Sequence, residues 1–260
     1  LVGKLAVGRL AASFESKLPT ANLPTANQIS IKIEKDCMLC ILDANPEYTT
    51  MHHKQENIIF AGKPLAEAEN VMIMVHGRGA SSDTILGLAR HLDVKDFALI
   101  APNATDNAWY PYAFLAPEAQ NEPMLSSALE LLKSVVEDLF SKGFASKNIY
   151  FTGFSQGACL VSEFVGRYAK RYGGVFIFTG GVIGDSVKTE RYQGNFDGTP
   201  IFIGSGNPDF HVPVERVHAT TAIFRALGAE VTERIYDGIP HTVVIEEIRE
   251  VNGILHLFSP

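Results

Sequence analysis

The stretch FTGFSQGACL, residues 151–160, decides how this sequence folds. A serine stands there between two glycines, where an apolar run meets a helical one. The preceding residues, NIYFT at 148–152, are β-branched and aromatic, as a strand requires. After it, Val161, Phe164, Val165, Tyr168 and Tyr172 recur at helical spacing. Gly153-Phe154-Ser155-Gln156-Gly157 therefore predicts a strand, a very tight turn and a helix, the G-x-S-x-G nucleophile elbow. Such a corner holds its serine in a strained backbone conformation with the hydroxyl exposed. Glycines flank it because side chains there would collide with the neighbouring strand and helix.

Working outward, the pattern is regular from residue 57 on. Strand-length apolar runs occur at 71–75, 97–101, 149–151, 175–178 and 201–204, and VTERIY at 231–236 alternates as a strand nearer an edge would. Continuously apolar strands imply burial on both faces, hence a mostly parallel sheet covered by helices. Leu125, Leu129, Leu132, Val136 and Leu139 mark one helix, between Pro123 and Gly143. Helical patterns at 82–92, 156–172, 213–228 and 242–257 supply the others. Alternating strand and helix predict a doubly wound α/β fold with helices on both faces, without a large lid domain. Ligands then belong at the carboxyl ends of the strands, where Ser155 lies.

The 260 residues suffice for one such domain with a large core. A net charge of −7 argues against nucleic acid or an anionic membrane as partner, and no apolar run is long enough for a membrane span. Cys37, Cys40 and Cys159 are too few for a disulfide framework, which predicts a reducing, cytoplasmic setting. Cys37 and Cys40 form a C-x-x-C without a second ligand pair, so they read as ordinary strand cysteines, and no metal site is expected.

Residues 1–50 differ from the rest and read as an N-terminal extension. LPTANLPTAN at 18–27 is a tandem pentapeptide of linker character, and 29–33 with 38–42 could pair as a hairpin. The chain begins with Leu1, as expected of a processed, truncated or upstream-extended product. A targeting peptide fits less well, because 1–17 lacks a clear hydrophobic region or cleavage site. MHHKQE at 51–56 resembles a natural protein start, which makes 51–260 the catalytic domain and His52 and His53 exposed terminal residues.

A serine hydroxyl at neutral pH needs a base within hydrogen-bond reach and an acid to orient that base. Asp209 follows the strand at 201–204 and His241 follows the strand at 231–236, in the order this elbow motif requires. Asp185, Asp197 and Asp237 are rival acids, Asp237 above all because it ends a strand. His211 is the rival base, and reads better as a wall or loop-fixing residue. Oxyanion donors are expected from the backbone N–H of Gln156, in the first turn of the helix, and of Arg78, in the turn VHGRGASSD at 75–83 that also contains Gly77.

HGRGA, NAWYP, GFSQGA, NPDFHVP and PHT together resemble the phospholipase/carboxylesterase family of α/β-hydrolases, which includes the acyl-protein thioesterases. The resemblance covers roughly residues 57–258 and implies a serine hydrolase of carboxylic or thioester bonds that needs no cofactor. It assigns nucleophile, acid and base to Ser155, Asp209 and His241, and oxyanion donors to Arg78 and Gln156. The turn reads HGRGA where the thioesterases usually carry an HGLGD type, and residues 1–50 have no counterpart. Trp109, Tyr110 and Phe114, in the aromatic loop 107–123, either wall a substrate pocket with Gly77 and His211 or pack that loop onto the domain. Cys159 reads as core. The expected activity is hydrolysis of short-chain carboxylic esters. An acyl thioesterase or lysophospholipase is the alternative enzyme, and a non-catalytic hydrolase-fold binding protein is the alternative of a different class. A small-molecule ester is the expected partner, stable membrane insertion is not expected, and a homodimer is the assembly allowed for.

Overall fold

The computed structural model describes residues 53–258. The Cys37/Cys40 pair, His52, the pentapeptide repeat and the expected hairpin at 29–33 and 38–42 lie outside those residues. The described strands are β1 (Ile58–Gly62), β2 (Asn70–Val75), β3 (Phe97–Pro102), β4 (Ile149–Phe154), β5 (Gly174–Phe178), β6 (Pro200–Asn207) and β7 (Glu230–Asp237). They form one sheet in the order β1-β3-β2-β4-β5-β6-β7, with β1 antiparallel to β3 and every other pair parallel. The helices are α1 (Ser82–Leu88), the short α2 (Glu118–Asn121), α3 (Met124–Ser141), α4 (Gln156–Arg167), α5 (Val214–Ala226) and α6 (Ile245–Phe258).

The apolar runs are buried because both faces are covered. β2, β3, β4 and β5 are buried at every position. Residues of α3, α4 and α5 pack with Ile73, Phe151, Ile177 and Ile203 on one face. Those of α1 and α6 pack with Met72, Phe154, Phe178 and Phe202 on the other. The alternating run at 231–236 lies in β7, an edge strand with only partial burial.

Three details differ from the sequence reading. β1 was not among the apolar runs singled out. It is the other edge strand, half-exposed along its length, so its sequence carries no buried-strand signature. Helix α4 stops at Arg167 rather than near 172. Tyr168 leaves helical geometry, and Ala169 then bridges to Gly194 as the chain turns into β5. Tyr172 is still buried, packed edge-on against Phe151 at 5.0 Å, with its hydroxyl donating to the Tyr168 carbonyl at 2.8 Å. His53 is buried rather than exposed. Its ring nitrogens meet the Trp109 carbonyl and the Thr105 N–H, and its own N–H donates to Ser127 Oγ at 2.8 Å.

The sheet places the elbow at its centre, with β4 between β2 and β5. Helix α4 begins against the end of β2. A Cβ on Gly157 would lie 2.2 Å from the Val75 carbonyl oxygen, and one on Gly153 would lie 2.6 Å from the Gly157 carbonyl oxygen. Both contacts are backbone, which cannot yield as a flexible side chain does. Gly157→Ala should therefore cost about 3 kcal/mol of stability through overpacking, read as a lower denaturation midpoint in urea. A midpoint equal to that of the unaltered protein would show that the helix has room to move.

Candidate active site

Ser155 sits between β4 and α4 with φ 55° and ψ −120°, a conformation that L-residues rarely adopt. Its N–H donates to the Phe178 carbonyl at 3.1 Å, and its carbonyl accepts from the Cys159 N–H at 2.9 Å. The corner is thus bonded on both sides, which aims the hydroxyl out of the sheet.

The candidate base and acid, His241 and Asp209, follow the paired strands β7 and β6. Asn207 is in register with Asp237 at their carboxyl ends, so the two following loops run side by side. His241 Nε2 lies 2.8 Å from Ser155 Oγ, and His241 Nδ1 lies 2.7 Å from Asp209 Oδ2. A carboxylate only accepts, so Nδ1 carries the proton and Nε2 is free to accept from the serine. Asp209 Oδ1 accepts the N–H groups of His211 at 2.8 Å and Val212 at 3.0 Å. Burial alone would raise the Asp209 pKa. The bond to His241, its charge and the two N–H donors outweigh that and hold the carboxyl below its ordinary value.

The rival acids lie elsewhere. Asp237 accepts from Asn207 Nδ2, Asp185 binds the N–H of Ser186, and Asp197 is exposed with a positive φ. His211 is not hydrogen-bonded to the serine. Its ring meets that of His241 edge-on at 4.8 Å, and Phe154 approaches the same imidazole at 5.2 Å. Burial and the neighbouring His241 charge push the His211 pKa down, against the pull of Asp209.

Opposite the histidine, the turn after β2 meets the first turn of α4. Gly77 approaches the elbow closely, with a Cβ there falling 3.4 Å from Ser155 Cβ. Among the described residues, neither the Arg78 N–H nor the Gln156 N–H is used by an internal hydrogen bond. Their side chains hold the aromatic loop. Arg78 donates to the carbonyls of Tyr110, Pro111 and Tyr112 at 2.7–2.9 Å. Gln156 accepts from the Trp109 N–H at 2.9 Å and donates to the Tyr110 carbonyl at 2.8 Å. Trp109, Tyr110 and Phe114 are all buried in the main core cluster, so the structure gives these rings the packing role rather than that of an exposed wall. Among the described residues no group of three or more His, Cys, Asp or Glu is arranged to hold a metal.

Comparison with known proteins meets this geometry from another side. A family model described as phospholipase/carboxylesterase matches residues 56–259. The chain belongs to that family. A crystal structure of a phospholipase/carboxylesterase from Dyadobacter fermentans is 44% identical with a TM-score of 0.78, covering 80% of this chain and 99% of that one. The Arabidopsis thaliana protein named probable carboxylesterase SOBER1-like is 26% identical over 205 residues, 72% of this chain and 78% of its own. Acyl-protein thioesterase 1 of Saccharomyces cerevisiae is 24% identical over 211 residues, 72% of this chain and 92% of its own. The protein is accordingly a hydrolase of the phospholipase/carboxylesterase family, with the α/β-hydrolase fold.

Within this family member the sequence reading overlooked His76. It is fully buried; Nδ1–H donates to the Gly77 carbonyl at 2.7 Å and Nε2 accepts the Ala104 N–H at 3.0 Å. Burial lowers its pKa, against the opposing effect of the Gly77 bond, which favours the neutral ring that this pairing needs. The Trp109 ring lies tilted against that of His76, with centroids 4.9 Å apart, and donates Nε1–H to the His76 carbonyl. Because a trans peptide points its C=O and N–H in opposite directions, tethering the Gly77 carbonyl fixes where the Arg78 N–H points. The signal was available: a histidine opening a glycine turn needs a reason.

The depressed Asp209 pKa makes a stability prediction. A carboxyl whose folded pKa lies below its unfolded value stabilises the fold above the unfolded pKa, about 3.9, and the contribution is lost as pH falls through the folded pKa. The unaltered protein should exceed Asp209→Asn in unfolding free energy by about 1.5–3 kcal/mol near neutrality, with the gap closing in acid. Urea titrations of both proteins at a series of pH values check this, and a gap that widens in acid would contradict it.

Proposed function

We propose that this protein is a serine ester hydrolase that works through an acyl-enzyme intermediate on Ser155. The reading is carried by one observation: the unbroken chain of hydrogen bonds from Ser155 Oγ through His241 to Asp209, lying beside two unused backbone N–H groups. His241 Nε2 takes the serine proton as Oγ attacks the ester carbonyl. The developing oxyanion is received by the N–H groups of Arg78 and Gln156, the latter at the positive end of the α4 dipole. His241 then returns the proton to the leaving alcohol, and Asp209 keeps the imidazole in its productive tautomer. Water repeats the sequence to release the acid. No step calls for a cofactor.

Short acyl chains, of about two to six carbons, fit the site best, since each buried methylene contributes only while walls remain to meet it. In the aromatic loop 107–123, the rings of Trp109, Tyr110 and Phe114 are already committed to the core and leave little wall for a long chain. Low cysteine content supports action in the cytoplasm. Thioester hydrolysis is the second reading, favoured by the yeast relative named acyl-protein thioesterase 1. A panel of esters of graded acyl length, run beside acyl-CoA below micelle concentrations, ranks the two.

Ser155→Ala and His241→Ala should each lower ester turnover by several orders of magnitude with the fold intact, because the residues act as one unit. Asp209→Asn should be severe and Asp237→Asn mild. A fluorophosphonate should label the unaltered protein at Ser155 alone. Either alanine variant retaining activity within about tenfold would refute the mechanism.

A further inference from the structure

Phe210 is 94% exposed, the most exposed large apolar side chain among the described residues. Exposure of one phenylalanine is unremarkable on a protein surface. Its position is not. The residue before it, Asp209, bonds His241 at 2.7 Å, and the ring of the residue after it, His211, meets the His241 ring at 4.8 Å. Asp209 Oδ1 also binds the N–H groups of His211 and Val212, so residue 210 forms the apex of a turn tied down from within. Pro208 and Pro213 restrict the chain on either side. The ring therefore stands in water on a fixed backbone, in the middle of the loop 208–213 that supplies the acid.

The chemistry says which part of a substrate passes there. His241 Nε2 must hand its proton to the leaving oxygen, so the alcohol portion of an ester lies on the histidine side of Ser155. The carbonyl oxygen lies opposite, toward Arg78 and Gln156. We propose that Phe210 is a specificity-determining contact for the alcohol portion of the ester, selecting an apolar leaving group of at least ring size. This rests on the ester-hydrolase reading and adds the class of alcohol to it. The exposed ring supplies a flat apolar face on the loop that carries Asp209.

The test holds the acyl group at acetyl and varies the alcohol. For the unaltered protein and for Phe210→Ala, kcat/KM is measured on 2-phenylethyl acetate and methyl acetate, and the ratio between the two esters is compared. Phe210→Ala should lower that ratio by about tenfold, and Phe210→Trp should restore it, since burying a ring-sized apolar contact is an effect of this order. A structural role would lower both esters together and leave the ratio in place. An unmoved ratio overturns the inference. So does a change that instead follows acyl length, in the ratio of methyl hexanoate to methyl acetate. Unmoved kinetics with a shift from dimer to monomer on sizing would overturn it in favour of a second copy of the chain. If the unaltered protein neither hydrolyses these esters nor takes up a fluorophosphonate at Ser155, the hydrolase reading falls and this inference with it. Hydrolysis with a flat alcohol response removes this inference alone.

Discussion

Ser155 can hold a φ of 55° only because helix α4 starts hard against the end of β2 with no side chain between them. A residue in such a region costs on the order of 1–3 kcal/mol, and it persists when its surroundings leave it no alternative. Here the surroundings are backbone on every side. The Ser155 N–H is taken by β5 and its carbonyl by the second residue-pair of α4, while Gly153 and Gly157 let strand, helix and β2 approach to contact distance. If the helix withdrew far enough to admit one methyl group, the serine would lose its orientation and the Gln156 N–H would move with it. Stability and site geometry therefore rest on the same contact.

Around that corner, side chains and backbone divide the work. His241 and Asp209 reach the serine with their side chains, delivered by the adjacent ends of β6 and β7. Arg78 and Gln156 face the other way: their N–H groups are left unused while their side chains bind the loop 107–123. A guanidinium that satisfies three consecutive carbonyls does what a small or aliphatic residue in that turn could not. Arginine in the HGRGA turn thus has a structural reason, independent of any contact with substrate. His76 completes the arrangement from below by fixing the Gly77 carbonyl, and Trp109 fixes His76.

The parts legible in the sequence are those encoded locally or by chain order. The elbow is written in five consecutive residues, and the acid and base each follow a recognisable strand, so topology alone brings them to the same edge of the sheet. What was not legible depends on partners distant in sequence. An aromatic cluster in a loop reads equally well as pocket wall or as packing, and the choice was made by Arg78 and Gln156, some 30 to 47 residues away. His53 looks like part of a polar terminus until the Trp109 carbonyl and Ser127 are seen to hold it. β1 escaped because an edge strand buries too little to need an apolar run. The end of α4 escaped because Tyr168 and Tyr172 continue the helical spacing after the backbone has left it.

The two loops beside the site are also joined to each other through charge. Glu163, fully buried on α4, accepts from Arg167, Arg191, the Tyr192 hydroxyl and the Ile183 N–H. Arg191 reaches on to Glu118 in α2, and Gly184 N–H binds the Phe114 carbonyl at 2.8 Å. Burying a carboxylate is expensive unless its lone pairs are filled, and these four donors fill them. Losing any one would leave a carboxylate lone pair unfilled in the core, so the network ties these segments into one rim. Selection among substrates then draws on the shape and chemistry of that rim. A rim tied in this way meets its substrate with side chains already in place, and, on the inference drawn above, the exposed Phe210 ring between Asp209 and His211 in sequence is one of them.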